Sequence, residues 1–370
     1  MKGNKCMQES MRNYIMETPD QCQQNIMQAA ELTQIITDEF CKQTYKRIQI
    51  VASGSSYNAA VTARYFMEKT LKLKVEVLTS FSTLNYETMF DAETFYIGLG
   101  QSGRSTNTNA AMRKIIDRGY SLIGLTGNVE SEMKCNCTQI CNWGVGIEKI
   151  GYVTKGYTTA VLFLMLFAVE AARKTNRLRS QEANSILKEM LSMTECMKKV
   201  IHQTESWYKA NTAGLFTEMN RIQITGYGSN LGVAMEGALK IEETLARAAT
   251  AYEMEEYLHG PCYETTPDRT VMIIDAPGSA SSRAYQLYQK LFALTPKTYL
   301  ITTRKCEGEH VLSLPYPVKE ELSVFINIIP FQLIAALGRE QGGNPYEDRF
   351  TVFGDAMSTK SPRKGNEVGL

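Results

Sequence analysis

The sequence predicts an α/β protein built from two related parallel-sheet domains, and three observations lead there. The first is an internal repeat. Residues 47–60 read RIQIVASGSSYNAA and residues 221–234 read RIQITGYGSNLGVA, an offset of 174 residues. Such spacing marks a duplicated domain, whereas periods of about 20–50 residues would mark a solenoid. The second is the alternation, in both halves, of short apolar strands with helix-period segments, which calls for parallel sheets with right-handed crossovers. The third is length, because 370 residues is about two and a half times the ~150 of an ordinary domain.

Taken in order, roughly the first forty residues read as helical, with a break expected at Thr18-Pro19 because a residue before proline disfavours the helical region. Each copy of the repeat is an alternating strand, a Gly/Ser-rich turn and a helical pattern. The register holds to Thr70-Leu71, which faces Thr244-Leu245. In the first half, Phe95–Leu99 leads into GQSGRSTNT and a helix through Ile116, and Leu122–Leu125 leads into TGNVES. The longest apolar run, Ala160–Val169, is half of the ~20 residues a bilayer needs and reads as a buried helix. Gln181–Lys209 is amphipathic and links the halves. In the second half, Val271–Ile274 leads into DAPGSASS and Tyr299–Ile301 into TTRK. After Gly343 the chain turns polar, as a disordered tail or a lid over a site. The expected division is therefore 1–178, 179–345 and a tail, 346–370.

Composition excludes several classes of function. Forty Lys+Arg against 39 Asp+Glu give a net charge of +1, so neither a nucleic-acid partner nor an acidic disordered chain is indicated. The segment Met1–Asp20 is polar, without the apolar core of a signal peptide, and no membrane span is expected. Nine scattered cysteines are not a disulfide framework, which points to a reducing cytoplasm. Cys135, Cys137 and Cys141 form CxCxxxC without a fourth ligand. Zinc sites prefer CxxC pairs, so these read as free thiols and no metal is expected.

Ligands of a doubly wound sheet bind beyond the carboxyl ends of its strands. Two Ser-rich loops fall there, Ser53–Ser56 (SGSS) and Gln101–Ser105 (QSGRS). Free N–H groups at the helix starts and added hydroxyls suit a phosphate monoester; plain N-caps and turns remain the alternative. Neither loop is a Walker A or GxGxxG motif. In the second half, Glu236, Lys240 and Glu243 share one helix face. The repeat sets Lys69 opposite Glu243, as if one copy kept acid–base chemistry; a solvated salt-bridging face is the alternative. His259, in EEYLHGP, sits where Gly and Pro end a helix, suited to proton transfer but equally to an ordinary surface position. His202 and His310 read as structural.

Together these motifs resemble the double SIS (sugar isomerase) proteins: the isomerase part of glucosamine-6-phosphate synthase and the fructosamine-6-phosphate deglycases. The resemblance runs through YIMETP from Tyr14, SGSSYN, GQSGRS, VTKGYTT (Val153–Thr159), EGALKIEE (Glu236–Glu243) and LHGP, with a matching sixteen-residue step from Glu243 to His259. It implies two flavodoxin-like sheets joined as a pseudo-dimer, and no cofactor. By position, Ser55, Ser56, Gln101, Ser102 and Ser105 resemble phosphate and sugar ligands. Glu243 resembles the carboxylate that shuttles a proton between C1 and C2, with Lys240 and Glu236 beside it. His259 resembles a histidine that assists ring opening or acid catalysis from the other subunit, implying a homodimer, or a higher oligomer, with shared sites. Where the synthases have SQSGET and STKAF, this chain has GQSGRS and VTKGY, so Gly100, Arg104 and Val153 reshape the pocket. Lys360 is the candidate for the family's C-terminal lysine.

Two features favour a deglycase over a synthase. The sequence opens on the SIS-type helix without a glutaminase segment, and HGP is followed by Cys262, Tyr263 and Glu264 rather than small apolar residues. The expected substrate is a phosphorylated sugar–amine adduct. An aldose–ketose isomerase or aminosugar-phosphate deaminase and a non-catalytic sugar-phosphate sensor are the alternatives. The Glu243–His259 pair and the lack of a helix-turn-helix segment weigh against the sensor.

Overall fold

The inner strands of both halves are almost wholly buried, as strands covered by helices on two faces must be. In the computed structural model, which describes residues 9–345, 353 and 357–361, they sit at the centre of two sheets. The first half begins with α1 (Met11–Met27), α2 (Ala29–Leu32) and α3 (Gln34–Phe40). It continues with β1 (Arg47–Ala52), α4 (Ser55–Leu71), β2 (Lys74–Thr79), α5 (Ser80–Asn85), β3 (Thr94–Leu99), α6 (Thr106–Ile116), β4 (Leu122–Thr126), β5 (Gln139–Asn142) and α7 (Lys155–Lys174). The long α8 (Ser180–Ala210) leads into β6 (Ile222–Gly226), α9 (Asn230–Leu245), β7 (Ala249–Glu253), α10 (Met254–Leu258) and β8 (Val271–Asp275). Then follow α11 (Ser281–Phe292), β9 (Thr298–Thr302), β10 (Val311–Ser313) and α12 (Val324–Gln341).

Each sheet has five strands, all parallel, ordered β2-β1-β3-β4-β5 and β7-β6-β8-β9-β10. Counted from its own first strand each order is 2-1-3-4-5, the flavodoxin-like arrangement, with its switch point between the first and third strands. The two related α/β domains expected from the repeat are both there.

One expectation fails. The break at Thr18-Pro19 is absent, and α1 runs through Pro19. Proline removes one N–H from the helix, but α1 packs along α7, α8 and α12, and Thr18 Oγ1 donates to Tyr14 O at 2.6 Å within the same stretch. Packing outweighs the lost bond. The run Ala160–Val169 lies in α7, which with residues 320–341 is long and apolar enough to cross a membrane. Both are buried within the protein and serve as core helices. All eight described cysteines are free.

The halves meet where α4 crosses α9. A Cβ on Gly232 would run into Thr62 and the Asn58 carbonyl, so glycine is what lets the helices approach. The repeat offset maps Asn58 onto Gly232 and Thr62 onto Glu236. The 2.9 Å hydrogen bond from Asn58 Nδ2 to Glu236 Oε2 and the Thr62–Gly232 contact are thus mates about a pseudo-two-fold axis.

Candidate active site

After β1 the chain turns at Gly54 in the left-handed region (φ +57°), and Ser55 opens α4. After β3 it turns through Gln101–Arg104, and Ser105 caps α6 by accepting from Thr108 N. Both loops flank the switch point of the first sheet. Ser55 is buried at the start of its helix, whereas Ser56, Ser102 and Ser105 are half-buried. Ser102 Oγ accepts from Arg104 N at 3.3 Å, the turn-stabilising role left open by the sequence. That bond uses one lone pair and leaves the hydroxyl proton for a ligand.

The second half brings α9 against these loops. Glu236 and Lys240 are fully buried, so their face is not a solvated one. Lys240 Nζ lies 2.6 Å from Glu243 Oε2 and 3.6 Å from Glu236 Oε1. Glu243 keeps 35% of its side chain exposed, and so is the member of the trio that a ligand can reach. Burial raises the Glu236 carboxyl above its usual range, opposed by the Lys240 ammonium and by hydrogen bonds from Asn58 and Ser55. For Lys240, burial pulls downward but the carboxylates of Glu236 and Glu243 outweigh it, so its pKa rises and it remains an ammonium.

The tail also reaches this region. Thr106 N donates to Thr359 O at 3.0 Å, Ser361 N to Arg104 O at 2.9 Å and Arg104 Nη1 to Ser361 O at 3.2 Å, which sets Lys360 in an antiparallel bridge with Ser105. Lys360 is exposed on the rim of the phosphate-type loop. The rest of the expected tail segment, apart from Phe353 and residues 357–361, lies outside the described residues. Val153 is half-buried and packs on the core just before the start of α7.

His259 is not brought to the trio. It caps α10 and is exposed, with Glu255 as its charged neighbour. Helix α9 descends to the amino end of the second sheet, where Glu243 lies two residues before its end. His259 instead follows the carboxyl end of β7, a strand of five residues or about 16 Å away. The same chain's histidine therefore follows the opposite end of the second sheet from its own Glu243.

Sequence reading missed Glu148. Its carboxylate is buried, with Oε1 accepting from Thr154 N (2.9 Å) and Lys155 N (2.7 Å), and Oε2 from Gly156 N (3.0 Å) and Gln101 Nε2 (2.7 Å). It caps α7 and holds Gln101 of the QSGRS loop. Its partners are mostly backbone N–H groups, which leave no residue pattern to read. The two-fold mate of the site is different. Lys69 stands for Glu243 and pairs with Glu321, and the Glu320 carboxylate lies against Gly228 and Gly278 at the second switch point.

A family model, the SIS domain, matches residues 43–170 and 215–336, which together cover most of the chain and hold both sheets. The chain belongs to the SIS domain family. Both halves are SIS domains, and the Glu236–Lys240–Glu243 face lies in the second. A glutamine–fructose-6-phosphate aminotransferase [isomerizing] of Gloeobacter violaceus is 27% identical over 303 residues, covering 78% of this chain and 48% of the relative. The enzyme of the same name from Clostridium acetobutylicum is 31% identical over 214 residues, 58% of this chain and 35% of the relative. The chain thus spans about half the length of such relatives or less. Among solved structures, a Clostridium difficile 630 protein proposed to be a phosphosugar isomerase superposes with a TM-score of 0.83 at 25% identity, over 97% of both chains. The C-terminal domain of glucosamine-fructose-6-phosphate aminotransferase from Francisella tularensis shares the fold, with a TM-score of 0.78 at 21% identity over 91% of this chain and 98% of that one.

Proposed function

We propose that this double SIS protein is a deglycase: it cleaves a 6-phosphorylated sugar–amine adduct to hexose 6-phosphate and free amine. The observation that carries the reading is Glu243, a half-exposed carboxylate held at 2.6 Å by the buried Lys240 beside two hydroxyl-rich loops at a switch point. The loops would anchor the phosphate through helix N-termini and hydroxyls, so that orientation and not affinity alone lowers the barrier. Glu243 removes a proton from C1 of the ketoamine, whose C2 carbonyl acidifies it, giving an enaminol. It then returns the proton to C2, leaving a C1=N imine. Water adds across that bond and the amine departs, so the overall change is hydrolysis. General acid–base catalysis of this kind supplies about 10²–10⁴-fold.

His259 of the partner subunit would complete the site as acid, in a homodimer. The distance between His259 and Glu243 within one chain supports this arrangement. Cys262, Tyr263 and Glu264 after the HGP segment support the deglycase over a synthase; Tyr263, 91% exposed, would meet a second chain or the amine part of a substrate. A second reading rests on the relatives' names: sugar-phosphate isomerisation, or exchange of the amine, through the same proton transfer. Both readings are put to the same experiment, release of glucose 6-phosphate from a 6-phosphofructosamine–amino acid adduct, run beside interconversion of fructose 6-phosphate with glucose 6-phosphate. Hexose phosphate release with a free amine supports the deglycase. Interconversion alone supports the isomerase, and neither activity with retained phosphosugar binding supports a sensor.

A further inference from the structure

We infer that Glu148 is a positioning residue of the phosphosugar site, acting through Gln101, and that Gly156 is glycine to make room for that contact; the inference rests on the reading of the QSGRS loop as a sugar-phosphate loop. Glu148 is 1% exposed and spends all four of its contacts inside the protein. Three go to the N–H groups of Thr154, Lys155 and Gly156, which begin α7, and the fourth receives the Gln101 side-chain amide. A carboxylate only accepts, so it turns the Gln101 Nε2 toward itself and fixes which end of the amide points elsewhere. Gln101 Oε1, left over, is buried and has no partner among the described residues. An acceptor without a donor in such a place suits the hydroxyl or ammonium of a ligand. The main chain of the same residue is held as well, with Gly127 N at 2.9 Å and Thr126 Oγ1 at 3.0 Å from Gln101 O.

The space for the Gln101 amide exists because residue 156 has no side chain. A Cβ on Gly156 would overlap Gln101 Oε1, Cδ and Nε2 well inside van der Waals contact. Close-packed interiors do not absorb such an overlap without moving one partner. The helix start cannot yield easily, since Glu148 holds it and Gln332 Nε2 donates to Thr154 O at 3.0 Å from α12. The Gln101 side chain is the part that would be expelled. Thus Glu148 ties the start of α7 to the ligand loop after β3, and the register between them is set by a single buried carboxylate.

The test is a double-mutant cycle on the full chain, with calorimetric binding of fructose 6-phosphate as readout. Glu148→Gln and Gly156→Ala should each weaken binding about 10–100-fold, the usual effect of losing a hydrogen bond to a charged group. Gly156→Ala gains helix propensity but expels the buried Gln101 amide, so its Tm should fall, and binding is therefore read far below the Tm of each variant. In a Gln101→Ala background, Gly156→Ala should cost less than about threefold, because the group it displaces is gone. Wild-type affinity in Gly156→Ala, or a full additive loss in the double variant, would overturn the inference. The lock also has a ligand-free signature. The Gln101 side-chain amide hydrogens should exchange slowly in the wild type and fast in Glu148→Gln, and equal exchange rates in the two proteins would also sink it. A wild type that binds no 6-phosphosugar yet keeps this protection would refute the proposed function and leave the lock standing.

Discussion

At the scale of the residue, the proposed chemistry rests on a buried ammonium between two carboxylates of unequal exposure. Lys240 and Glu236 are sealed, while Glu243 stays partly exposed. Glu243→Gln should keep the fold and ligand binding and lower kcat by at least ~10²-fold, as expected for loss of a proton shuttle. Activity within tenfold of wild type would remove Glu243 from that role. The buried partner has its own signature. Because burial raises the Glu236 carboxyl above its unfolded value of about 4.3, the native state binds more protons than the unfolded one above that pH, and stability falls as pH rises. The raised pKa of Lys240 acts with the opposite timing, contributing stability that is lost only as pH climbs past the ordinary lysine value near ~10.4. Glu236→Gln should therefore flatten the decline in urea midpoint as pH rises above the unfolded glutamate value of about 4.3. An identical slope in both proteins would show that Glu236 is not the source. Glu236, Lys240 and Glu243 were legible from their spacing on one face, but burial was not, since periodicity cannot say which face another helix covers. Glu148 was invisible for a different reason: it sits in GIEKIG, where nothing marks a carboxylate as a helix cap.

At the scale of the element, β1, β3, β4, β6, β8 and β9 were readable because their residues are buried almost without interruption. The sheet-edge strands β2, β5, β7 and β10 alternate weakly or are very short, so their signal is lost among turns. Pro19 misled because proline's local cost is fixed while the packing of α1 on three helices is not visible in sequence. The two loops make a direct prediction. Ser56→Ala and Ser102→Ala should weaken binding of a 6-phosphorylated ligand roughly 10–100-fold each, and of its dephosphorylated analogue far less. Equal losses for both ligands would mean that the loops do not hold the phosphate. Arg104 belongs to the same element: its guanidinium and backbone both bond Ser361, so the charge that departs from the family pattern is tied to the tail.

At the scale of the whole molecule, the separation of His259 from Glu243 predicts complementation between chains. Homodimers of Glu243→Gln and of His259→Ala should each be nearly inactive, yet mixing them with subunit exchange should restore about one quarter of the wild-type sites. Half of the dimers in a random mixture are mixed, and in each of those one site carries both lesions and the other none. No recovery after verified exchange would assign the histidine to its own chain and leave Glu243 untouched.

The α4–α9 crossing has one further consequence. The halves touch through a buried seam that includes the Asn58–Glu236 bond, while the covalent route between them passes only through the short connection from Thr175 to Arg179 and α8. That connection acts as a tether, supplying effective concentration in the millimolar range and not the contact itself. A chain cut between Asn176 and Arg179 should accordingly reassemble from its two pieces. Its activity should hold at high protein concentration and decay on dilution, at concentrations where the intact chain keeps its own activity. Fragments that never recombine would mean that the tether, and not the seam, holds the duplicated halves together.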